Sequence, residues 1–331
     1  MKKVVLTGIK PTGTPHIGNY FGAIKPAIEL SNNPEYDAYY FIADYHALNS
    51  LKSREDMRRY YKEIACTWLA CGLDPKKVTF YRQSQIHETT ELSWIITNVT
   101  PKGLMDRAHA YKASVEKNIA NGLDADAGVN MGLYNYPILM AADILLFNTK
   151  LVPVGLDQKQ HVEMARDIAK YFNKKYGYTL VVPQELIRED TGVLEGLDGR
   201  KMSKSYGNQI PMFCSAEELK KLISSIKTDS SLPNEPKSLD STIFKYIKLF
   251  ATPEKLKEME EKFNTGISWA DAKKELFEIA NNFISPMREK YNYYMEHFDE
   301  VEKILEEGEA KARPIANETL ERARKAVGVV E

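Results

Sequence analysis

Short, nearly continuous apolar runs recur in the first part of the chain. Residues 4–8 have the sequence Val-Val-Leu-Thr-Gly, and residues 38–43 have the sequence Ala-Tyr-Tyr-Phe-Ile-Ala. Similar runs occupy residues 78–81, 151–154 and 180–182. Such runs are typical of strands covered on both faces, and the intervening segments are long enough for crossover helices. The pattern predicts an α/β fold with a doubly wound parallel sheet.

The second part of the chain has a different pattern. Strand candidates end, and amphipathic stretches rich in lysine and glutamate follow. Ser215, Thr252 and Ser268 each carry a helix start signal, with proline or an acidic residue in the first turn. We therefore expect the sheet domain to span residues 1–210 and an all-helical C-terminal domain to span residues 211–331.

Residues 84–135 interrupt the alternation of strands and helices. They contain amphipathic helical stretches and a small acidic loop at residues 121–130, where Asp124 and Asp126 lie two positions apart. A divalent cation could use such a pair, but a solvated loop explains it without a ligand. We interpret the segment as a helical insertion in the sheet domain.

Composition restricts the class of protein. The chain has 331 residues, 43% of them apolar, which is enough for a sizeable core. No apolar run has the length of a membrane helix, and the start of the chain lacks a secretory signal. We expect a cytoplasmic protein with no membrane partner. The net charge of −1 argues against a protein that binds nucleic acid over its whole surface. A nucleic-acid partner would therefore contact local patches.

The cysteines indicate neither a disulfide framework nor a zinc site. Cys66, Cys71 and Cys214 are odd in number and form no Cys-x-x-Cys pair. We expect buried thiols and no metal held by protein side chains alone.

Asp143 is the most informative single position. It lies within residues 138–147, a stretch that is apolar on nearly every side. We place Pro137 in the first turn of the helix that carries this acid. A buried carboxylate without a donor is costly, so it should meet a protein cation or a ligand N–H. The alternatives are a helix rotation that exposes the acid to solvent, or a buried arginine.

Two polar motifs indicate a site for a polyphosphate. Residues 11–19 have the sequence Pro-Thr-Gly-Thr-Pro-His-Ile-Gly-Asn, and residues 201–205 have the sequence Lys-Met-Ser-Lys-Ser. Backbone N–H groups at a glycine-containing helix start can approach phosphate oxygens, and two lysines on a loop can reach them. The chain has no Walker motif and no Gly-x-Gly-x-x-Gly, which excludes P-loop ATPases and dinucleotide dehydrogenases.

These two motifs resemble the His-Ile-Gly-His and Lys-Met-Ser-Lys-Ser signatures of class I aminoacyl-tRNA synthetases. Three further segments resemble the tryptophan branch of that class. They are Tyr-Pro-Ile-Leu-Met-Ala-Ala-Asp-Ile-Leu-Leu at residues 136–146, Val-Pro-Val-Gly-Leu-Asp-Gln-Lys-Gln-His at residues 152–161, and Lys-Ala-Arg-Pro-Ile-Ala at residues 311–316. The resemblance therefore extends over almost the whole chain.

The resemblance implies a fold, an activity and partners. The sheet domain would be a Rossmann-like nucleotide-binding domain, residues 84–135 would form a homodimer interface, and the C-terminal domain would bind the tRNA anticodon. The activity would join L-tryptophan to ATP as an adenylate, release pyrophosphate, and transfer tryptophan to the 3′-terminal adenosine of tRNA(Trp). ATP would bring Mg²⁺ to the site.

The resemblance also implies roles for individual residues. In the family an aspartate at the position of Asp143 accepts the indole N–H of tryptophan. Lys201 and Lys204 would follow negative charge onto the leaving pyrophosphate, with Mg²⁺ sharing that load. His16 and Asn19 would bond phosphate or ribose oxygens. These last two residues and the two lysines are the expected catalytic residues.

The other expected contacts surround this group. The expected ATP site comprises Lys10, Pro11, Thr12, Gly18, Asn19, Gly155, Leu156, Asp157, Val193, Lys201, Met202, Ser203, Lys204 and Ser205. The expected tryptophan pocket comprises Leu6, Gly8, His46, Tyr136, Met140, Asp143, Val152, Val154 and Gln158. Without the resemblance, the apolar members would be interpreted as ordinary core.

Some residues allow only weaker interpretations. His161 fits an ordinary surface or structural histidine, and Lys112 is a further basic candidate for ATP. Arg313, Arg322, Arg324 and Lys325 are candidate contacts to the tRNA backbone, although solvated helix faces have the same pattern.

Three alternative functions remain open. Tyrosyl-tRNA synthetases share the fold and both signatures, but bacterial members usually carry Lys-Phe-Gly-Lys-Ser and a tyrosine on the first strand, where this chain has Leu6. A nucleotidyltransferase would share only the first signature and would be shorter. A catalytically inactive paralogue that binds tRNA or ATP is the third, and the intact Lys201 and Lys204 argue against it.

Overall fold

A parallel sheet organises the N-terminal part of the chain. The structure is a computed structural model that describes residues 2–51, 53–187 and 194–331. In these residues the strands of the sheet are β1 Lys3–Ile9, β2 Tyr36–Ile42, β3 Val78–Arg82, β4 Leu151–Val154 and β5 Gln184–Ile187. Their spatial order is β3-β2-β1-β4-β5, and all neighbouring pairs are parallel. The chain starts in the middle and winds to each edge in turn, so the predicted doubly wound sheet is confirmed.

Helices cover the sheet and form the rest of the described chain. They are α1 Ile17–Asn19, α2 Lys25–Ser31, α3 Asp44–Ala47, α4 Arg54–Ala70, α5 Glu88–Thr97, α6 Lys102–Met105, α7 His109–Ala120, α8 Met131–Leu146, α9 Lys159–Tyr176, α10 Ala216–Ser224, α11 Thr242–Phe250, α12 Pro253–Thr265, α13 Trp269–Glu296 and α14 Phe298–Val327. A π-helical segment, Tyr20–Ile24, joins α1 to α2.

The apolar runs are continuous because both faces of the sheet are buried. On β2, Tyr40 points to one face and packs on Trp68 of α4, with ring centroids 5.4 Å apart. Its neighbour Tyr39 points to the other face and packs on Phe147, with ring centroids 5.0 Å apart. Successive side chains of a strand alternate between faces, so a strand with two buried faces has no polar positions.

The fifth strand begins later than predicted. Residues 180–182 were expected to form it, but the ladder starts at Gln184, whose N–H donates to the carbonyl of Lys150 at 2.9 Å. Pro183 has no N–H and cannot contribute to a ladder. The apolar residue Leu180 is nevertheless fully buried, as part of a loop that fills the core.

The helix that carries Asp143 begins earlier than predicted. Helix α8 starts at Met131, because the side chain of Asn130 accepts the N–H of Leu133 at 2.9 Å and caps it. Pro137 therefore lies inside the helix, and its placement in the first turn was wrong. The first turns, residues 131–136, contain Gly132 and Asn135 and are exposed or half-buried, so they lack the continuous apolar run on which the prediction depended.

The predicted starts of the C-terminal helices are confirmed. The side-chain oxygens of Ser215, Thr252 and Ser268 accept the N–H three residues later at 3.1, 3.3 and 3.0 Å. These bonds satisfy N–H groups that have no partner inside the helix.

The last helix returns to the sheet domain. Gly308 of α14 lies against β3, where a Cβ would come within 1.8 Å of the Phe80 carbonyl oxygen. Next to it, Arg82 donates two hydrogen bonds to the buried Glu309, at 2.5 and 3.0 Å. Residues on both sides of residue 210 therefore share a core. The anticodon-binding role of the C-terminal part stays a prediction.

The remaining sequence expectations concern thiols and membranes. Cys66 and Cys214 are buried and Cys71 is partly buried, each as a free thiol. Across the described ranges, no helix has both the length and the apolar character that a bilayer span requires.

Candidate active site

A cavity of about 490 Å³ opens where β1, β2 and β4 end. The carboxyl ends of parallel strands meet at one edge of a sheet, which is where doubly wound folds bind ligands. Every residue of the expected tryptophan pocket lines this cavity, namely Leu6, Gly8, His46, Tyr136, Met140, Asp143, Val152, Val154 and Gln158. Lys10 and Gly155 of the expected ATP site line it too. The sheet thus brings segments from distant parts of the chain to one wall.

Asp143 is 2% exposed and has two protein partners. The amide Nε2 of Gln83 donates to its Oδ1 and Oδ2 at 2.9 and 2.8 Å, and His46 Nε2 lies 2.8 Å from Oδ2. Burial raises the pKa of the Asp143 carboxyl, while the hydrogen bonds from His46 and Gln83 act in the opposite direction. The alternatives of solvent exposure and of an arginine partner are therefore wrong.

The carboxylate keeps capacity for a ligand. A carboxylate offers about four lone-pair positions, and the contacts from Gln83 and His46 use three of them. The remaining position belongs to Oδ1. Asp143 is also one of the residues that line the cavity.

Gln83 was missed by the sequence analysis. It directly follows β3, is 1% exposed and lies beside the segment after β2 that contains His46. The available signal was its position, a polar residue at the carboxyl end of a strand. The neighbouring order of β2 and β3, which brings Gln83 to Asp143, is not visible in the local pattern.

His161 is a buried residue of the cavity wall, so of its two interpretations the surface histidine was wrong and the structural histidine agrees with the structure. Its Nε2 lies 2.7 Å from the Tyr136 hydroxyl, and its Nδ1 lies 2.9 Å from Oε1 of Gln158. Helix α9 packs on α8, which turns position 161 inward. These two hydrogen bonds with His161 fix the orientation of Tyr136 and Gln158, two residues of the predicted pocket.

The two signature motifs meet in space. Ile17 N–H donates to the carbonyl of Ile210 at 3.0 Å, and Met212 N–H donates to the carbonyl of Pro15 at 2.9 Å. Lys204 extends to the first motif, because a Cβ on Gly13 would lie 2.5 Å from its Nζ. Gly13 has φ +141°, a conformation that only glycine adopts readily.

The residues between these contact points are also in place. Pro11 is buried and Thr12 is partly buried, directly before the turn at Gly13. Met202 is buried, and its sulfur would lie 3.3 Å from a Cβ on Gly18. The second motif ends in a tight turn, where the Ser205 N–H donates to the hydroxyl of Ser203 at 3.3 Å.

His16 is held as a neutral side chain. It is 9% exposed, and its Nδ1 has no hydrogen-bond partner in the described part of the chain. Burial, and next the charge of Lys204, lower the pKa of His16 to about 4. Its backbone N–H donates to Asn19 Oδ1 at 3.0 Å, which closes the start of the helix. His16 can therefore bond a ligand without carrying charge.

Asn208 shapes the lysine loop and was also missed. It is buried, accepts the Ser203 N–H at 2.9 Å, and donates to Asp198 at 2.7 Å and to the Lys201 carbonyl at 3.1 Å. The side chain of Lys201 is exposed. The buried side-chain amide of Asn208 thus holds the backbone at Lys201 and Ser203, while the side chain of Lys201 stays accessible.

Several expected ATP contacts lie elsewhere or lack a description. Val193 and the side chain of Asp157 lie outside the described residues. Leu156 is 76% exposed, and Lys112 is exposed and pairs with Glu116 at 3.7 Å. The contacts of these residues with ATP stay predictions.

The candidate tRNA arginines contact the sheet domain. Arg322 donates to Asn148 at 2.6 Å, and Arg324 donates to Glu91 at 2.6 Å. Arg313 donates to a backbone carbonyl at 3.0 Å. These bonds hold α14 in place, which explains the arginines without a nucleic acid.

The donor set favours anions over a protein-bound metal. No group of three or more His, Cys, Asp or Glu side chains in the described ranges could hold a metal ion. Lysine ammonium groups and a neutral imidazole instead donate to negative oxygens. This set fits a Mg²⁺ ion that arrives on the phosphates of a nucleotide.

Comparisons with known proteins show the family of the chain. A family model described as tRNA synthetases class I (W and Y) matches residues 2–285. The tryptophan–tRNA ligase of Pseudomonas putida is 53% identical over 98% of this chain and 73% of its own length. That of Bordetella parapertussis is 51% identical over 99% of this chain and 74% of its own length.

Solved structures give the same answer. The crystal structure of tryptophanyl-tRNA synthetase from Campylobacter jejuni, complexed with ADP and tryptophan, has a TM-score of 0.90 at 42% identity. It covers 98% of this chain and 99% of that chain. The enzyme from Mycoplasma pneumoniae has a TM-score of 0.81 at 29% identity, with 99% and 98% covered.

The chain belongs to the class I tRNA synthetases. Within that class it belongs to the tryptophanyl-tRNA synthetase family, because relatives of that name share about half of its residues over nearly its whole length. The resemblance inferred from the two signatures is confirmed.

Replacing His16 tests its neutral state. The folded pKa is about 4, against 6.5 for an ordinary histidine, so the unfolded chain binds more protons between these values. The stability associated with neutral His16 is complete above pH 6.5 and is lost as the pH falls towards 4. We expect the wild type to lose about 3 kcal/mol more than His16→Gln between pH 7 and pH 4, measured by urea unfolding.

The exposed His87 supplies the control for this comparison. His87→Gln should follow the wild-type pH dependence. Identical pH dependence of wild type and His16→Gln would show that His16 is not held neutral by its surroundings.

Proposed function

We propose that the chain is a tryptophan–tRNA ligase. It activates L-tryptophan with ATP as an adenylate, releases pyrophosphate, and then transfers tryptophan to a ribose hydroxyl of the 3′-terminal adenosine of tRNA(Trp) with release of AMP. The observation that carries this proposal is a buried carboxylate, Asp143, on the wall of an apolar cavity. The relatives' names support the same activity.

Tryptophan is selected by one hydrogen bond inside an apolar pocket. Asp143 Oδ1 accepts the indole N–H, and Leu6, Met140 and Val152 pack against the ring. Phenylalanine has no N–H, so its binding leaves the acid without that partner, which costs on the order of 10⁴-fold in favourable sites. Tyrosine has a donor, and the shape of the pocket excludes it.

The polar end of the amino acid binds near Gln158. This residue and Tyr136 line the cavity and are oriented by His161. The substrate carboxylate then points towards the first signature motif. This orientation places the amino acid for attack on ATP.

Activation requires no general base. The substrate carboxylate is ionised at neutral pH, and its oxygen attacks the α-phosphorus while the bond to pyrophosphate breaks. Lys201 and Lys204 stabilise the charge that develops on the leaving pyrophosphate. His16 donates to a phosphate or ribose oxygen, and Gly18 allows the nucleotide to approach the backbone. Mg²⁺ bound to the phosphates neutralises part of their charge.

The second step of the reaction uses the third substrate, tRNA(Trp). The 3′ end of tRNA(Trp) enters the cavity, and the helical C-terminal part contacts the anticodon. Charging of tRNA serves translation, so we place the chain in the cytoplasm.

The active form is a homodimer built by residues 84–135. Four large apolar side chains within this segment are exposed and would be buried by a partner subunit. They are Trp94, Ile119, Leu123 and Met131 at 70, 61, 56 and 66% exposure. Helices α7 and α8 also supply Ala110 and Leu133 to the cavity, so the interface lies next to the site.

Sedimentation velocity tests the dimer. We expect the wild type to sediment as a dimer and Trp94→Glu as a monomer, because burying a carboxylate in an apolar interface is costly. Leu232→Glu changes an equally exposed apolar side chain outside the segment and should leave the dimer intact. A monomeric wild type, or a dimeric Trp94→Glu, would contradict the interface.

Pyrophosphate exchange with each of the twenty amino acids tests the activity. We expect exchange with tryptophan. Exchange with tyrosine alone would overturn the substrate assignment. No exchange with any amino acid would favour the inactive paralogue.

Removal of the acid tests the mechanism of selection. In Asp143→Ala we expect kcat/KM for tryptophan to fall on the order of 100-fold, while the KM for ATP changes little. Asp124→Ala, in the exposed loop, is the control. Equal losses for tryptophan and ATP would show that Asp143 is merely structural.

A further inference from the structure

Gln83 connects the segment after β2 to the acid on α8. Its Nε2 donates to both carboxylate oxygens of Asp143, at 2.9 and 2.8 Å. Its Oε1 accepts the backbone N–H groups of Tyr45 and His46, at 3.1 and 3.4 Å. The side chain is 1% exposed, so neither end of the amide depends on solvent.

Its neighbours allow only one orientation of this amide. A flipped amide would turn Oε1 towards the two acceptor oxygens of Asp143 and Nε2 towards two N–H donors. Both new contacts would be repulsive, because carboxylates only accept and backbone N–H groups only donate. The protein therefore presents a fixed donor to the acid.

Helix α8 alone does not fix the plane of the Asp143 carboxylate. The terminal torsion of an aspartate has a broad minimum, so the group can turn about its last bond. His46 contacts only Oδ2, at 2.8 Å. Gln83 contacts both oxygens and opposes this rotation. The vacant lone pair of Oδ1 is thereby held in one direction.

We propose that Gln83 is a positioning residue for substrate selection, which fixes the Asp143 carboxylate so that Oδ1 meets the indole N–H. The inference rests on the proposed function. Hydrogen bonds weaken steeply when their angles deviate, so a rotated carboxylate bonds the indole less well. A ligand without an N–H gains nothing from the alignment. Gln83 therefore acts on discrimination rather than on binding in general.

The experiment compares tryptophan with an analogue that carries sulfur in place of the indole N–H, 3-(benzothiophen-3-yl)alanine. Gln83→Met keeps the approximate volume and removes the amide. We expect KM for tryptophan in pyrophosphate exchange to rise about 10-fold, while KM for the analogue and for ATP changes less than about twofold. Equal changes for both amino acids, or none, would overturn the proposal.

Two further variants separate positioning from stability. Ser84→Ala, at the adjacent residue, removes a hydrogen bond to Asp44 and leaves the contacts of Asp143 intact. We expect this variant not to change the ratio of kcat/KM for tryptophan to kcat/KM for the analogue. Adding Gln83→Met to Asp143→Ala should not change that ratio further, since the residue acts through the acid. An additive effect would show that Gln83 acts by another route.

The wild type separates this proposal from the proposed function. If it shows no exchange with tryptophan, the proposed function fails and the positioning role fails with it. If it does show exchange and Gln83→Met keeps full discrimination, only the positioning role fails. A wild-type structure with tryptophan covers the case of a variant that does not fold. The indole nitrogen should bond Oδ1 with Gln83 on both oxygens, and contact through Oδ2 with Gln83 turned away would overturn the proposal.

Discussion

A carboxyl group buried in an apolar wall is the constraint on which the site depends. Burial of Asp143 is tolerable only because Gln83 and His46 hydrogen-bond it from neighbouring strand ends. Those partners require β2 and β3 to be adjacent and α8 to cross their carboxyl ends. The arrangement leaves one lone-pair position of Oδ1 without a protein donor, and the proposed function assigns this position to the indole N–H of tryptophan.

The part of the site expected to bind phosphate depends on backbone pairing and on lysine charge instead of a buried acid. Backbone pairing between residues 15–17 and 210–212 joins the first signature motif to the segment that follows the second. Lys204 lies close to Gly13, and its charge contributes to keeping His16 neutral. Lysine charge thus lies beside the first signature motif, while Asp143 is the one acid among the described residues that line the cavity.

Local patterns predicted the parts of the structure that are locally determined. The buried strands follow from continuous apolar runs, and the capped helices at Ser215, Thr252 and Ser268 follow from capping chemistry. Asp143 was found because an acid in an apolar helix is conspicuous. Gln83 was missed, because its importance arises from a partner 60 positions away that only the strand order brings near. The start of β5 was misplaced because burial in a loop and burial in a strand give the same apolar run.

The indole N–H of bound tryptophan offers the most direct test of the central claim. In an NMR spectrum of the wild-type complex with tryptophan labelled with ¹⁵N in the ring, we predict a downfield-shifted N–H proton that exchanges slowly with water. The buried acceptor at Asp143 causes both effects. An indole N–H that exchanges as fast as that of free tryptophan, with an unshifted resonance, would contradict the account.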